Sequence, residues 1–134
     1  MQDLAIIIST TLMYSTPLIY TALGGVFSEN SGIVNIGLEG MMTVGAFAGA
    51  TAGYYTGNPW IAFLIGGLAG MLFALIHAIA TINFNADHTI SGVAINLLAP
   101  GMALFISKIL FDGATTTPTI SMENKMPRVF SNIF

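Results

Sequence analysis

The chain has 134 residues, of which 54% are hydrophobic and 7% charged, with a mean hydropathy of +0.82; a water-soluble domain carries about 25% charged residues, so this composition is that of a membrane protein. Lys+Arg number 3 and Asp+Glu 6, a formal net charge of −3, which leaves no basic stripe and excludes a nucleic-acid partner. With no cysteine there is neither a disulfide framework nor a thiolate metal site.

The first apolar run, "LAIIISTTLMYSTPLIYTALGGVF", extends from Leu4 to Phe27. Its acidic leader "MQD" and its length set it apart from a cleaved signal, whose basic start precedes an apolar core of about 7–15 residues. It reads as a retained span, since about 20 apolar helical residues cross a bilayer. Pro17 inside it cannot donate to the carbonyl of Met13, which favours a kink.

After the turn-forming "SENSG", a second span is predicted over Ile33–Tyr55. Asn35 and Glu39 are four apart, which predicts a shared helix face, with Glu39 about 9 Å inside the start at Ile33. An acidic residue at a helix centre costs about 2.5–3.5 kcal/mol on insertion scales and usually faces a bundle interior or a water path. Two readings follow: a substrate or ion site, or a carboxylate that caps a half-helix or bonds to a neighbouring helix. Gly37 and Gly40 permit irregular geometry and close backbone approach, so the carboxylate is expected to be held by backbone amides or a polar neighbour where a discontinuous helix begins. Further along, Gly45, Gly49 and Gly53 recur every four residues and form a smooth face for helix packing.

"TGNP" leads into a third span over Trp60–Ile82, where Gly66, Gly70 and Ala74 repeat the small-residue pattern. His77, near its end, is expected to make one interhelical hydrogen bond. His88 is the only other imidazole, so no metal ligand set is visible. "NFNADHT" precedes the fourth span, Ile90–Phe111. There Pro100 frees the carbonyl of Asn96, whose side chain is polar too, and such groups at membrane depth call for cover by protein or a water-filled cavity. Asn35, Glu39, Asn96 and Pro100 are therefore the candidates for a translocation path or gate. Residues 112–134 hold two prolines and most of the remaining charge and read as a polar loop. The predicted fold is all-α: a polytopic transmembrane bundle of about four spans within residues 1–111, with kinked or discontinuous helices and antiparallel neighbours.

No G-x-x-x-x-G-K-[ST] loop, G-x-S-x-G elbow or catalytic triad occurs, so the chain is not expected to be an enzyme, and any energy would come from a partner. Lys108, Lys125 and Arg128 lie at or beyond the end of the fourth span; counted alone, they would put the tail and N-terminus in the cytoplasm.

Two stretches carry a family resemblance. "YSTPLIYTALGGVFSENSGIVNIGLEGMMTVGAF", Tyr14–Phe47, and "ADHTISGVAINLLAPGMALF", Ala86–Phe105, together resemble the permease subunits of bacterial ABC importers in the ribose, nucleoside and branched-chain amino acid group, closest to the nucleoside or simple-sugar branch. The resemblance implies a multi-pass subunit of the bacterial plasma membrane working by alternating access. It would pair with a second permease subunit, a cytoplasmic ATPase and an extracytoplasmic solute-binding lipoprotein, with membrane lipid around it. ATP and Mg would be held by the ATPase partner, and this chain would carry no cofactor. It also implies that "VNIGLEG" begins a helix at the inner side and that "NFNADHTI" is cytoplasmic, which places the N-terminus and the long tail outside. This orientation is preferred over the three-charge count.

Two departures stand out. Family members often carry a basic residue near the start of the connector ending in "ADHTI", where this chain has "TINFN". Permeases of this group are also considerably longer, so the chain is expected to be an N-terminal portion, lacking the ATPase-coupling segment and unable to transport alone. Two other classes fit the residues: a small proton-linked carrier or channel using Glu39, His77 and Asp87 as a relay, and a noncatalytic membrane scaffold assembled through the glycine faces. Cysteine labelling in intact cells tests the orientation: a cysteine at Asn124 should react and one at Asn85 should stay protected, and the opposite pattern would restore the charge-count orientation.

Overall fold

The polar connectors divide the apolar runs into four helices, α1 (Gln2–Asn30), α2 (Leu38–Thr56), α3 (Pro59–Ala78) and α4 (His88–Leu110). The computed structural model describes residues 2–121 and 125, so Asn124 and Arg128 lie outside the described residues. Each boundary has a local cause. Gly57 adopts φ 63° and its N–H bonds to the Gly53 carbonyl, closing α2, and the Asn58 side chain accepts from the Trp60 N–H at 2.9 Å to open α3 directly behind it. Asp87 opens α4 in the same way, accepting from the Ile90 N–H at 3.0 Å.

α3 does not stop at Ala78 but widens into a π-helical turn, Ile79–Asn83, whose closing bond runs from the Phe84 N–H to the Ile79 carbonyl. Within it, the Thr81 hydroxyl donates to the His77 carbonyl at 2.8 Å.

Among the described residues, three helices, Asp3–Asn30, Pro59–Asn83 and His88–Leu110, are long and apolar enough to cross a membrane by length and composition. α2 is not among them, because its glycines, threonines and tyrosines lower its hydropathy. It occupies the middle instead, packed along α3 on one side and α4 on the other. The second predicted span is also shorter than expected. Residues 33–37 are not helical, and α2 begins only at Leu38. The core is small: Met41, Phe73, Ile95 and Ala99, with Leu38, Val44 and Ala74 against it. α1 meets the rest near its end, where Gly25 lies against Leu38 and the Thr21 hydroxyl reaches the Met42 sulfur at 3.5 Å. Its remaining large apolar side chains face outward, as lipid contact requires.

α2 and α3 run antiparallel in backbone contact. A Cβ added to Gly45 would lie 3.0 Å from the Gly66 carbonyl oxygen, one at Gly66 would lie 2.8 Å from that of Gly45, and one at Gly49 would lie 3.1 Å from that of Ala62. Gly70 faces the Met41 carbonyl at 3.5 Å, and Gly53 sits against Ala62 and Ile120. α2 and α4 run parallel: Gly37 meets Gly92, Gly40 meets Ile95, and the Tyr55 hydroxyl donates to the Leu110 carbonyl, a constant offset of 55 residues. At that far end Tyr54, Tyr55 and Phe111 form an aromatic cluster, with Tyr55 stacked on Phe111 at 6.0 Å.

The α2–α3 contact gives a direct comparison between neighbouring positions. Gly66→Leu and Gly49→Leu should cost at least about 1–3 kcal/mol of stability by overpacking, read as a lowered unfolding midpoint in detergent. Gly67→Leu, at a position with open space around it, should be mild. Equal midpoints for all three would show that the crossing tolerates side chains.

Candidate functional site

Residues 31–37 carry the chain from α1 to α2 without helical structure beyond a turn. Asn35 helps to keep them so, because its side-chain oxygen accepts from the Gly37 N–H at 3.0 Å, a local bond that competes with helix formation. His88, at the start of α4, accepts the Val34 N–H on Nδ1 at 3.2 Å.

Asn96 of α4 spans the break. Its Oδ1 accepts the Gly40 N–H at 2.7 Å, and its Nδ2 donates to the Ile36 carbonyl at 2.9 Å. The first amides of any helix lack partners within it, and here one of them is taken up by a side chain from another helix. The approach is close. A Cβ at Gly92 would lie 2.9 Å from the Gly37 nitrogen, and one at Gly40 would lie 2.7 Å from the Ile95 carbonyl oxygen. Side chains at Gly40 or Gly92 would push α4 away and take Asn96 out of reach.

The four candidate residues separate in space. Asn35 and Glu39 do not share a helix face, because Asn35 lies in the irregular segment and Glu39 in the first turn of α2. Glu39 is exposed, and among the described residues its carboxylate makes no hydrogen bond. The expectation that it holds the backbone amides of the half-helix is corrected, since Asn96 holds the Gly40 amide. Glu39 contributes its charge at the positive end of the α2 dipole and its carbonyl to the Thr43 hydroxyl at 2.9 Å. Pro100 lies one turn beyond Asn96 within a continuous α4, on a groove of about 590 Å³ between α2 and α4. His88, Gly92 and Ile36 were missed as members of the site. The signal for His88 and Gly92 was in the quoted motif "ADHTISG"; Ile36 takes part only through its backbone, which no side-chain pattern announces.

His77 is buried, 2% exposed, and its Nδ1 pairs with the Ser91 hydroxyl of α4 at 2.9 Å, while Nε2 has no partner among the described residues. Asp87 is occupied as the α4 cap. No hydrogen bond links Glu39, His77 and Asp87 among the described residues, and no group of three or more potential metal ligands forms there.

The family model for the permease component of the branched-chain amino acid transport system matches residues 7–134. The guanosine ABC transporter permease protein NupQ of Bacillus subtilis is 53% identical over 94% of this chain and 42% of its own length. The nucleoside ABC transporter permease protein NupC of Lactococcus lactis is 49% identical over 82% of this chain and 37% of its own. The chain thus spans about two fifths of the length of these curated relatives. No solved structure matches it. A family match that runs from α1 through the broken start of α2 to the last residue leaves one assignment: the chain belongs to the branched-chain amino acid transport system permease family.

Proposed function

We propose that this chain forms part of the permease subunit of an ATP-driven nucleoside importer, and that the break before α2 belongs to its gate. The observation that carries the reading is the likeness, over nearly the whole chain, to permeases named for guanosine and nucleosides. The broken helix supports it, since transporters commonly build their substrate paths around discontinuous helices with free backbone groups.

In this proposal a second permease subunit completes the path, a cytoplasmic ATPase supplies the energy, and an extracytoplasmic solute-binding lipoprotein delivers the nucleoside. α2 is the fourth span, shielded from lipid by its neighbours. The 31–37 segment and the 84–87 connector face the cytoplasm, and residues 112–121 face outward. Asn96 and His88 hold the irregular segment in one arrangement, and movement of α4 relative to α2 exchanges these bonds as the path opens and closes. A neutral nucleoside needs no counter-charge, so Glu39 shapes the α2 terminus and does not pair with substrate.

The test uses the complete permease, assembled with its ATPase and binding lipoprotein in proteoliposomes. Guanosine uptake should require ATP; uptake of branched-chain amino acids with no nucleoside uptake would overturn the substrate assignment. Asn96→Ala orphans the buried Gly40 amide at about 1–3 kcal/mol and should lower uptake about tenfold or more per assembled complex. Asn96→Ala uptake at the wild-type rate would remove the break from the gate. Glu39→Gln should retain most of the uptake. Its complete loss with assembly intact would show that the charge itself is needed.

A further inference from the structure

The groove between α2 and α4 begins one turn beyond the Asn96 clamp and ends under Thr115, Thr116 and Thr117. At about 590 Å³ it falls within the size range of small-molecule sites. Its chemistry is divided. Phe47, Pro100 and Leu104 give it an apolar interior that includes one aromatic ring, and three consecutive threonines lie along its mouth. Among the described residues, the side chains of Thr115, Thr116 and Thr117 make no hydrogen bonds, unlike Ser107 at the groove wall, whose hydroxyl is spent on the Ala114 carbonyl at 3.1 Å. Among the described residues, none that lines the groove is charged.

We infer that this groove is a nucleoside subsite of the permease, with the base against the ring of Phe47 and the ribose hydroxyls at Thr115–Thr117. The inference rests on the nucleoside reading above and deepens it. A flat base gains from an aromatic face whatever its edge pattern, and a ribose needs hydroxyl partners at one end only. A phosphorylated nucleotide would bring an uncompensated charge into an apolar, chargeless groove, which is strongly unfavourable, so the site selects the neutral nucleoside. The groove lies along the α2–α4 seam, so the helix movement that exchanges the Asn96 bonds also changes its width.

The test uses the reconstituted full-length complex, with guanosine uptake measured per assembled complex. Phe47→Leu should lower guanosine uptake about tenfold, with Phe47→Tyr restoring most of it, and Thr116→Val should weaken uptake as well. Phe105→Leu, on the outward face of α4, should behave as wild type. Wild-type uptake by both Phe47→Leu and Thr116→Val would overturn the subsite. A second measurement does not depend on the variants folding: photolabelling of the wild-type complex with 8-azidoguanosine should mark α2 peptides containing Phe47, with protection by guanosine and none by guanosine monophosphate. Labelling confined to other helices, or equal protection by the monophosphate, would overturn the inference. Failure of the wild-type complex to take up any nucleoside would instead overturn the underlying function, and that arm contains no variant.

Discussion

The Asn96 carboxamide, which gives an acceptor to the Gly40 amide and a donor to the Ile36 carbonyl, is the interaction on which the arrangement of α2 depends. A backbone group shielded from water must find its partner in protein, and Gly40, in the first turn of α2, is buried. Asparagine has a short side chain. It can serve the backbone of another helix only if the two chains nearly touch, and Gly37, Gly40 and Gly92 provide that approach. The polar bond and the three missing side chains are therefore one device.

The same constraint explains the character of α2. A helix held on one side by α4 and on the other by α3, with glycine carbonyls in close contact at Gly45 and Gly66, has little surface left for lipid. It can carry Gly, Ala and Thr where its neighbours carry Leu64, Leu72 and Leu97, all turned outward. Association across small residues depends on fit more than on hydrophobicity in a membrane, so a helix rich in Gly, Ala and Thr can be the best packed. α1 is the opposite case, with its large apolar side chains exposed and its attachment mainly at one end.

Much of this was legible from the residues. The apolar runs around Leu4–Phe27, Trp60–Ile82 and Ile90–Phe111 correspond to α1, to α3 with its π-helical turn, and to α4, because length and hydropathy are local properties. The glycine spacing and the importance of Asn96 could be read as candidates, whereas their partners could not. The reading failed at Ile33–Gly37, where hydropathy continued but helix did not. An Asn35 side-chain bond to Gly37 and a tertiary bond from His88 outweigh the apolar pattern there, and the second of these joins residues 54 apart. Glu39 drew attention as the charged residue, yet the neutral amide of Asn96 holds the terminus. A strong electrostatic cost marks a position as unusual without saying which neighbour meets the backbone's needs.

The π-helical turn at Ile79–Asn83 has a consequence for the chain that follows it. A turn of this kind is wider than an α-helical one, and because it ends α3 it sets the direction in which the chain leaves the helix. The short connector from Phe84 to Asp87 starts from this wider turn and delivers His88 to the start of α4, where it meets Val34. Thr81 reinforces the wider turn by donating to the His77 carbonyl. Loss of one codon here would leave composition and hydropathy almost untouched but straighten the helix and misdirect the connector. The direction of the connector thus depends on how many residues this turn holds as well as on which residues they are.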